Sequence, residues 1–337
     1  MSDKGLGRCV MDGAGFHDLR RAMWAMFRFY EEGRYREALE AARQAAAAAP
    51  DEEARTAFWI ACLLSRLGEL DEAMRTLGEA RAHGRWWGKE ILLGDPDLAP
   101  LHGRTDFQAL VAECAEAQRT AQAQAKPESL VLTPPGFSPN STYPLLIALH
   151  GRMGTADELV PHFRSALAHG MILAVPQGTQ LAAEGFYTWD DPERAERDVG
   201  WAYEGLRQRY PIDPQRVVLA GGSQGAALAM SLAVKGDPIP AQGFIAVIPS
   251  TRGSEAWLPY IPEAARRGVR GWILTGGKDP RSAQVQALHQ KMSQVGLPCQ
   301  LVVVPDLGHE FPDDFPARLS TALAFVLGRG DDAAPRP

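Results

Sequence analysis

Along residues 16–125 apolar side chains recur at intervals of three and four. Alanine is abundant there, and no run of β-branched residues interrupts the pattern. That period predicts helix throughout. Beyond residue 126 the pattern changes to short, nearly continuous apolar runs at 129–132, 145–150, 171–176, 216–221, 244–249, 271–276 and 300–305. Runs of this length bounded by turn residues predict buried strands. Helix-length stretches lie between several of them, at 193–209, 224–234, 280–295 and 313–328. Strand alternating with helix predicts an α/β domain whose mostly parallel sheet is covered on both faces. The reactive groups of such a sheet lie at the carboxyl ends of its strands. Each polar motif discussed below follows directly after an apolar run.

The change of pattern falls in "AQRTAQAQAKPESLVLTPPGFSPNSTYP" (117–144), a polar helix tail followed by a proline-rich passage. The expected organisation is therefore an all-α domain over 1–125, an α/β domain over 126–330 and a disordered tail over 331–337. Within the helical part "EEGRYREALEAARQAAAAAP" (31–50) and "SRLGELDEAMRTLGEARAHG" (65–84) echo each other. Gly33 and Gly68 are each followed at +2 by Tyr35 or Leu70, at +5 by Ala38 or Ala73, and at +6 by Leu39 or Met74. The glycine permits a tight interhelix turn, and the alanine lets two helices pack closely. This resembles the tetratricopeptide repeat, although Ala22 and Ala57 stand where its first helix usually carries tryptophan. A chance array of Ala-rich hairpins is the competing account. Two repeats are fewer than the three or so that bury a continuous core. Packing on the rest of the protein or on a second copy is thus expected before a free peptide groove. "RWWGKEILLGDPDLAPL" (85–101) reads as an interdomain joint rather than an exposed patch.

Composition narrows the function classes. The formal charge is −6 and neither half carries a basic excess, which argues against a nucleic-acid partner. Cys9, Cys62, Cys114 and Cys299 are scattered without C-x-x-C spacing, so neither a zinc site nor a disulfide framework is expected. No signal-peptide core and no apolar span of membrane length is present in the sequence. A cytoplasmic protein without metal, cofactor or membrane partner is the expectation.

Gly221-Gly222-Ser223-Gln224-Gly225 meets the G-x-S-x-G pattern between a predicted strand and an Ala-rich predicted helix. In that context the pattern marks a nucleophile elbow, with small neighbours accommodating a strained serine. A Gly-rich helix N-terminus is the bland alternative. A serine hydroxyl needs an imidazole to take its proton, and in this arrangement the chain order is Ser, acid, His. Only His289 and His309 follow the serine. His289 sits inside a predicted helix, where solvent exposure is expected. His309, in "VVVPDLGHEFPDD", follows the last apolar run and is the candidate base. Asp279, in "ILTGGKDPRS", follows the preceding run and is the candidate acid. An N-cap role there is compatible with it. Asp306 is the reserve, but only three residues before His309 it is expected to face away or to crowd the loop.

Stabilising an oxyanion needs aimed donors. The amide after the nucleophile, Gln224, is one candidate. "LLIALHGRMGTADEL" supplies the other: the amide of Arg152, with Met153 second, while His150 reads as bracing that loop. The loops 177–193 and 250–268 carry Phe186, Tyr187, Trp189, Trp257 and Tyr260. Met153, Tyr187, Trp189 and Trp257 are the candidate substrate contacts, with plain packing an equal alternative for the aromatics.

Taken in order, "LHGRMG", "AVPQGT…FYTWDD", "GGSQGAALAM", "GGKDP" and "DLGHEF" resemble the α/β-hydrolase superfamily, in particular its predicted-esterase group of carboxylesterase and phospholipase-like enzymes. The resemblance covers about 210 C-terminal residues. It implies an α/β-hydrolase fold and a metal-independent serine hydrolase of carboxylic esters or thioesters, acting through Ser223, His309 and Asp279 on a small-molecule acyl substrate. Gly222 departs from the phenylalanine common before the serine, which would leave a roomier entrance. Peptide or amide hydrolysis, acyl transfer, and lyase or cyclase chemistry with the same triad remain open. So does a non-catalytic interaction protein working through its repeats. The helical half is expected to cap the site, to recruit a partner protein or to pair two copies.

Overall fold

The computed structural model describes residues 22–23 and 25–328. Cys9 and the expected tail at 331–337 lie outside the described residues. By compactness the chain divides into two units, Ala125–Leu181 with Phe186–Pro337, and Met1–Gln124 with Ala182–Gly185.

The larger unit is built on a seven-stranded sheet. Its strands are β1 (Glu128–Leu132), β2 (Tyr143–Leu149), β3 (Ile172–Gln177), β6 (Ile212–Gly222), β7 (Gly243–Val247), β8 (Arg270–Gly276) and β9 (Cys299–Val304), with β4 (Gln180–Ala183) and β5 (Phe186–Thr188) forming a separate pair. Spatial order is β1-β3-β2-β6-β7-β8-β9. All neighbours run parallel except β1, which lies antiparallel on β3 with Leu130 opposite Val175. Each predicted apolar run is one of these strands. The continuous runs are explained by burial on both faces. Leu145, Ile147 and Leu149 face one helix layer, whereas Leu146 and Ala148 face the other. The first layer holds the helices Pro192–Arg209, Gln224–Lys235 and Ser282–Gln294; the second holds Ala156–Phe163 and Phe315–Val326. The chain therefore has the α/β-hydrolase architecture, with the carboxyl ends of β2, β6, β8 and β9 leading into the loops that carry the candidate site.

In the smaller unit the helices Tyr35–Ala48, Glu53–Arg66, Leu70–Ala82 and Thr105–Gln124 account for most of the described residues. The two echoing segments fold alike. Gly33 and Gly68 adopt φ of +73° and +79°, a region open to glycine at no steric penalty. The following amides close the same turn, Arg34 N to Phe29 O and Glu69 N to Leu64 O. Ala38 and Ala73, the small residues of each repeat, are fully buried. Helix does not run throughout, however. Between 83 and 104 the chain makes turns, a six-residue helix, Lys89–Gly94, and a 3-10 segment, Pro96–Leu101. Trp87 is buried there, its indole donating to Ala54 O at 2.6 Å. Among the described residues no helix is long and apolar enough to cross a membrane.

Candidate active site

β6 ends at Gly222 and a helix starts at Gln224, leaving Ser223 alone in the bend at φ 52° and ψ −113°. Such a backbone is strained for a residue with a Cβ. It is held from both sides: the Ser223 amide donates to Val247 O, and the Ser223 carbonyl accepts from the amides of Ser250 and Ala227. The bend projects the hydroxyl away from the sheet. It also leaves the amides of Gln224, Gly225 and Ala226 ahead of the first one with an intrahelical acceptor.

Two loops converge on this hydroxyl. His309 Nε2 lies 2.9 Å from Ser223 Oγ, and His309 Nδ1 lies 2.7 Å from Asp279 Oδ2. The Asp279 carboxylate is fully buried. Its other oxygen accepts from the Arg281 amide at 2.9 Å, in the turn ahead of the helix Ser282–Gln294, whose N-cap is Arg281 and not Asp279. Burial pushes the Asp279 carboxyl up, but the His309 and Arg281 contacts outweigh it and hold the group below the usual aspartate range. The carboxylate of Asp279 on Nδ1 favours the imidazole tautomer that leaves Nε2 to accept. Arg281 was not singled out by the sequence; its guanidinium lies 3.1 Å from His309 Nδ1. Asp306 faces away, paired with Lys278 at 2.9 Å. His289 is half-buried rather than exposed, bonded through Nε2 to Cys299 O.

The loop after β2 turns tightly at Gly151–Gly154, closed by Gly154 N to Gly151 O, with Met153 at φ 57°. It passes directly against the nucleophile, since a Cβ on Gly151 would lie 3.7 Å from Ser223 Cβ. Arg152 is thus beside the serine, as is Gln224. His150 braces the loop from beneath. It is fully buried, its Nε2 accepts from the Gly178 amide at 3.1 Å, and the protonated Nδ1 donates to Gly151 O at 2.8 Å. Burial holds this imidazole neutral, with its pKa pushed down to about 4. The unfolded chain takes up that proton near pH 6.5 and the native state only near pH 4. This contribution to stability is therefore complete above pH 6.5 and is lost as pH falls through that window, by roughly 3 kcal/mol at its foot. Denaturant unfolding measured from pH 7 to pH 4 should show the decline. His150→Gln should flatten it, and an unchanged slope would rule His150 out as its source.

The aromatic expectations divide. Trp189 and Trp257 are each only 4% exposed and belong to the sheet core, so packing and not substrate contact is what the structure gives them. Trp189 stacks on His150 with ring centroids 4.7 Å apart and donates its indole N–H to His150 O. Met153 and Tyr187 are half-buried beside the serine loop, with the Tyr187 amide bonded to Gly154 O at 3.3 Å. The roomier entrance expected at Gly222 is not there. A Cβ at that position would meet Phe311 at 2.7 Å, because the loop carrying His309 lays this ring over the glycine. Phe311 is itself stacked on His162 at 4.1 Å.

Comparison with known proteins agrees with the fold. Residues 20–124 match the family model "A/B hydrolase-like, N-terminal domain", and residues 102–252 match the chlorophyllase family model. No curated protein matches the sequence. Among solved structures, an uncharacterized protein from Bacillus cereus ATCC 10987 is 24% identical, with a TM-score of 0.53 over 92% of this chain and 99% of that one. Esterase PE8 is 17% identical, with a TM-score of 0.50 over 60% of this chain and 99% of its own. Both likenesses are of fold. With its sheet order, these matches and its N-terminal helical domain, the chain has an α/β-hydrolase fold, and its residues 20–124 and 102–252 are similar to hydrolase-like and chlorophyllase families.

Proposed function

We propose that the protein is a serine hydrolase of small carboxylic esters or thioesters, related to the predicted-esterase group. The observation that carries this reading is the continuous chain from Asp279 through His309 to Ser223, 2.7 and 2.9 Å per link, ending on a strained serine. Ser223 Oγ attacks the acyl carbon as His309 Nε2 takes its proton, and Asp279 stabilises the imidazolium. The negative charge on the carbonyl oxygen is met by the amides of Gln224 and Arg152. Collapse expels the alcohol or thiol, protonated by His309, and leaves an acyl-serine. Water, deprotonated by the same imidazole, then releases the acid and restores the enzyme. The match to the chlorophyllase model favours an ester over an amide. In this reading Tyr187 and Met153, half-buried beside the loop that follows β2, border the acyl or alcohol group.

The test is p-nitrophenyl ester hydrolysis from two to twelve acyl carbons, combined with fluorophosphonate labelling mapped to the modified peptide. Turnover with a defined chain-length optimum and a label on Ser223 are expected. A protein that is neither labelled nor active on any of these esters would not be this hydrolase.

A further inference from the structure

The segment after β5 ties together the two residues offered as oxyanion donors. Gln224 Oε1 accepts from Thr188 Oγ1 and from the Trp189 amide, both at 3.1 Å. Gln224 Nε2 donates to Asp190 Oδ1 at 2.7 Å. Across the site, Arg152 donates from Nε and Nη2 to the two oxygens of the same carboxylate, at 3.3 Å each. Trp189, between them, holds the loop through His150 O. Burial pushes the Asp190 carboxyl up, but Arg152 and Gln224 more than offset this and keep it below the usual aspartate range.

We propose that Asp190 is a positioning residue for the oxyanion pocket: it joins the side chains of Arg152 and Gln224 so that their backbone amides stay at one spacing. The proposal rests on the hydrolase reading above. A side chain with its polar head tied down cannot rotate freely, and neither can the peptide carrying it. The Arg152 amide lies in the loop after β2 and the Gln224 amide in the first turn of the helix after β6, so no covalent link holds the two at a fixed distance. Asp190 supplies a non-covalent one. Misplacing a catalytic donor by about 1 Å is sufficient to lower a rate by ~100-fold. The Arg152–Asp190 pair is 44% exposed on both sides, and a pair so placed adds little to folding. Position and stability can therefore be measured apart.

The experiment compares wild type, Asp190→Asn and Asp190→Ala in p-nitrophenyl ester turnover, fluorophosphonate labelling rate, affinity for an alkylboronic acid and thermal unfolding. The boronate adduct of a serine is tetrahedral and anionic, so its affinity reports the oxyanion pocket directly. For Asp190→Ala we expect kcat and labelling rate to fall ~10- to 100-fold. Boronate affinity should weaken in parallel, with KM and the unfolding midpoint close to wild type. Asp190→Asn should fall between, since its carbonyl still accepts from Gln224 but holds Arg152 without charge. Unchanged kcat and boronate affinity in an active, labelled background would overturn the positioning role alone. So would a loss confined to KM or to the unfolding midpoint. A wild type that is neither labelled nor active would overturn the hydrolase reading, and this proposal with it.

Discussion

Ser223→Ala is expected to lower kcat for ester hydrolysis by ~10⁴- to 10⁶-fold and to abolish fluorophosphonate labelling, with KM and unfolding midpoint nearly unchanged. The size follows from the step removed. Without Oγ no acyl-enzyme forms, and the remaining rate comes from water held near His309 and from the oxyanion donors. The fold is spared because Ser223 is anchored through its backbone, by Val247, Ser250 and Ala227, and the hydroxyl's partner is His309. Asp279→Asn should fall by about 10⁴-fold for a separate reason: an amide side chain can donate to Nδ1 and so favour the unproductive tautomer. Combining Ser223→Ala with His309→Ala should add almost nothing to the single loss, since the two residues act in one step. Activity that survives Ser223→Ala would take the nucleophile role away from this serine and leave the bend as a purely structural feature.

How far this arrangement could be read beforehand depended on what each feature needs from the rest of the chain. The sheet was legible because each two-faced strand is a short apolar run, such as "RVVLAG" or "GWILTG", whose burial requires no knowledge of its partner. The direction of β1 was not, since an antiparallel edge strand and a parallel one can carry the same run. The β4–β5 hairpin was read as loop because "QLAAEGFYT" offers two strands of four and three residues about a glycine, too short for a periodic signal. Ser223, Asp279 and His309 could be picked out because each follows the end of a strand, and the structure brings those strand ends together. Asp190, Arg281 and Phe311 make contacts with residues 28 to 89 positions away along the chain; for Arg281 and Phe311 their own neighbours in sequence give no sign of it, and the "TWDD" motif marks Asp190 without naming its partners. For Trp189 and Trp257, loop location was legible and burial was not. At Gly222 the missing side chain was visible, but the ring that fills its place comes from another loop.

Gly225→Ala is expected to lose the native fold or to destabilise it by about 4 kcal/mol or more, a far larger effect than an alanine replacement normally has. The fifth position of the elbow packs the first turn of its helix directly onto the end of β2. A Cβ there would lie 2.0 Å from Leu149 O and 2.4 Å from His150 O. Both obstacles are backbone, and Leu149 is paired through β2 with Gly221 of the central strand, so neither can yield alone. Relief would require moving the helix off the sheet, which would draw Ser223 away from His309 as well. Gly151→Ala provides the contrast. Its Cβ would stand 3.6 Å from Gly222 O and 3.7 Å from Ser223 Cβ, ordinary contact distances, so the protein should fold with a near-normal midpoint. Any defect in that variant should appear in kcat, because the added methyl occupies space beside the serine. Denaturant unfolding of both variants beside wild type separates the two cases. If Gly225→Ala unfolded at the wild-type midpoint, backbone contact between helix and strand could not be what requires glycine at the elbow, and strain at Ser223 alone would have to account for it.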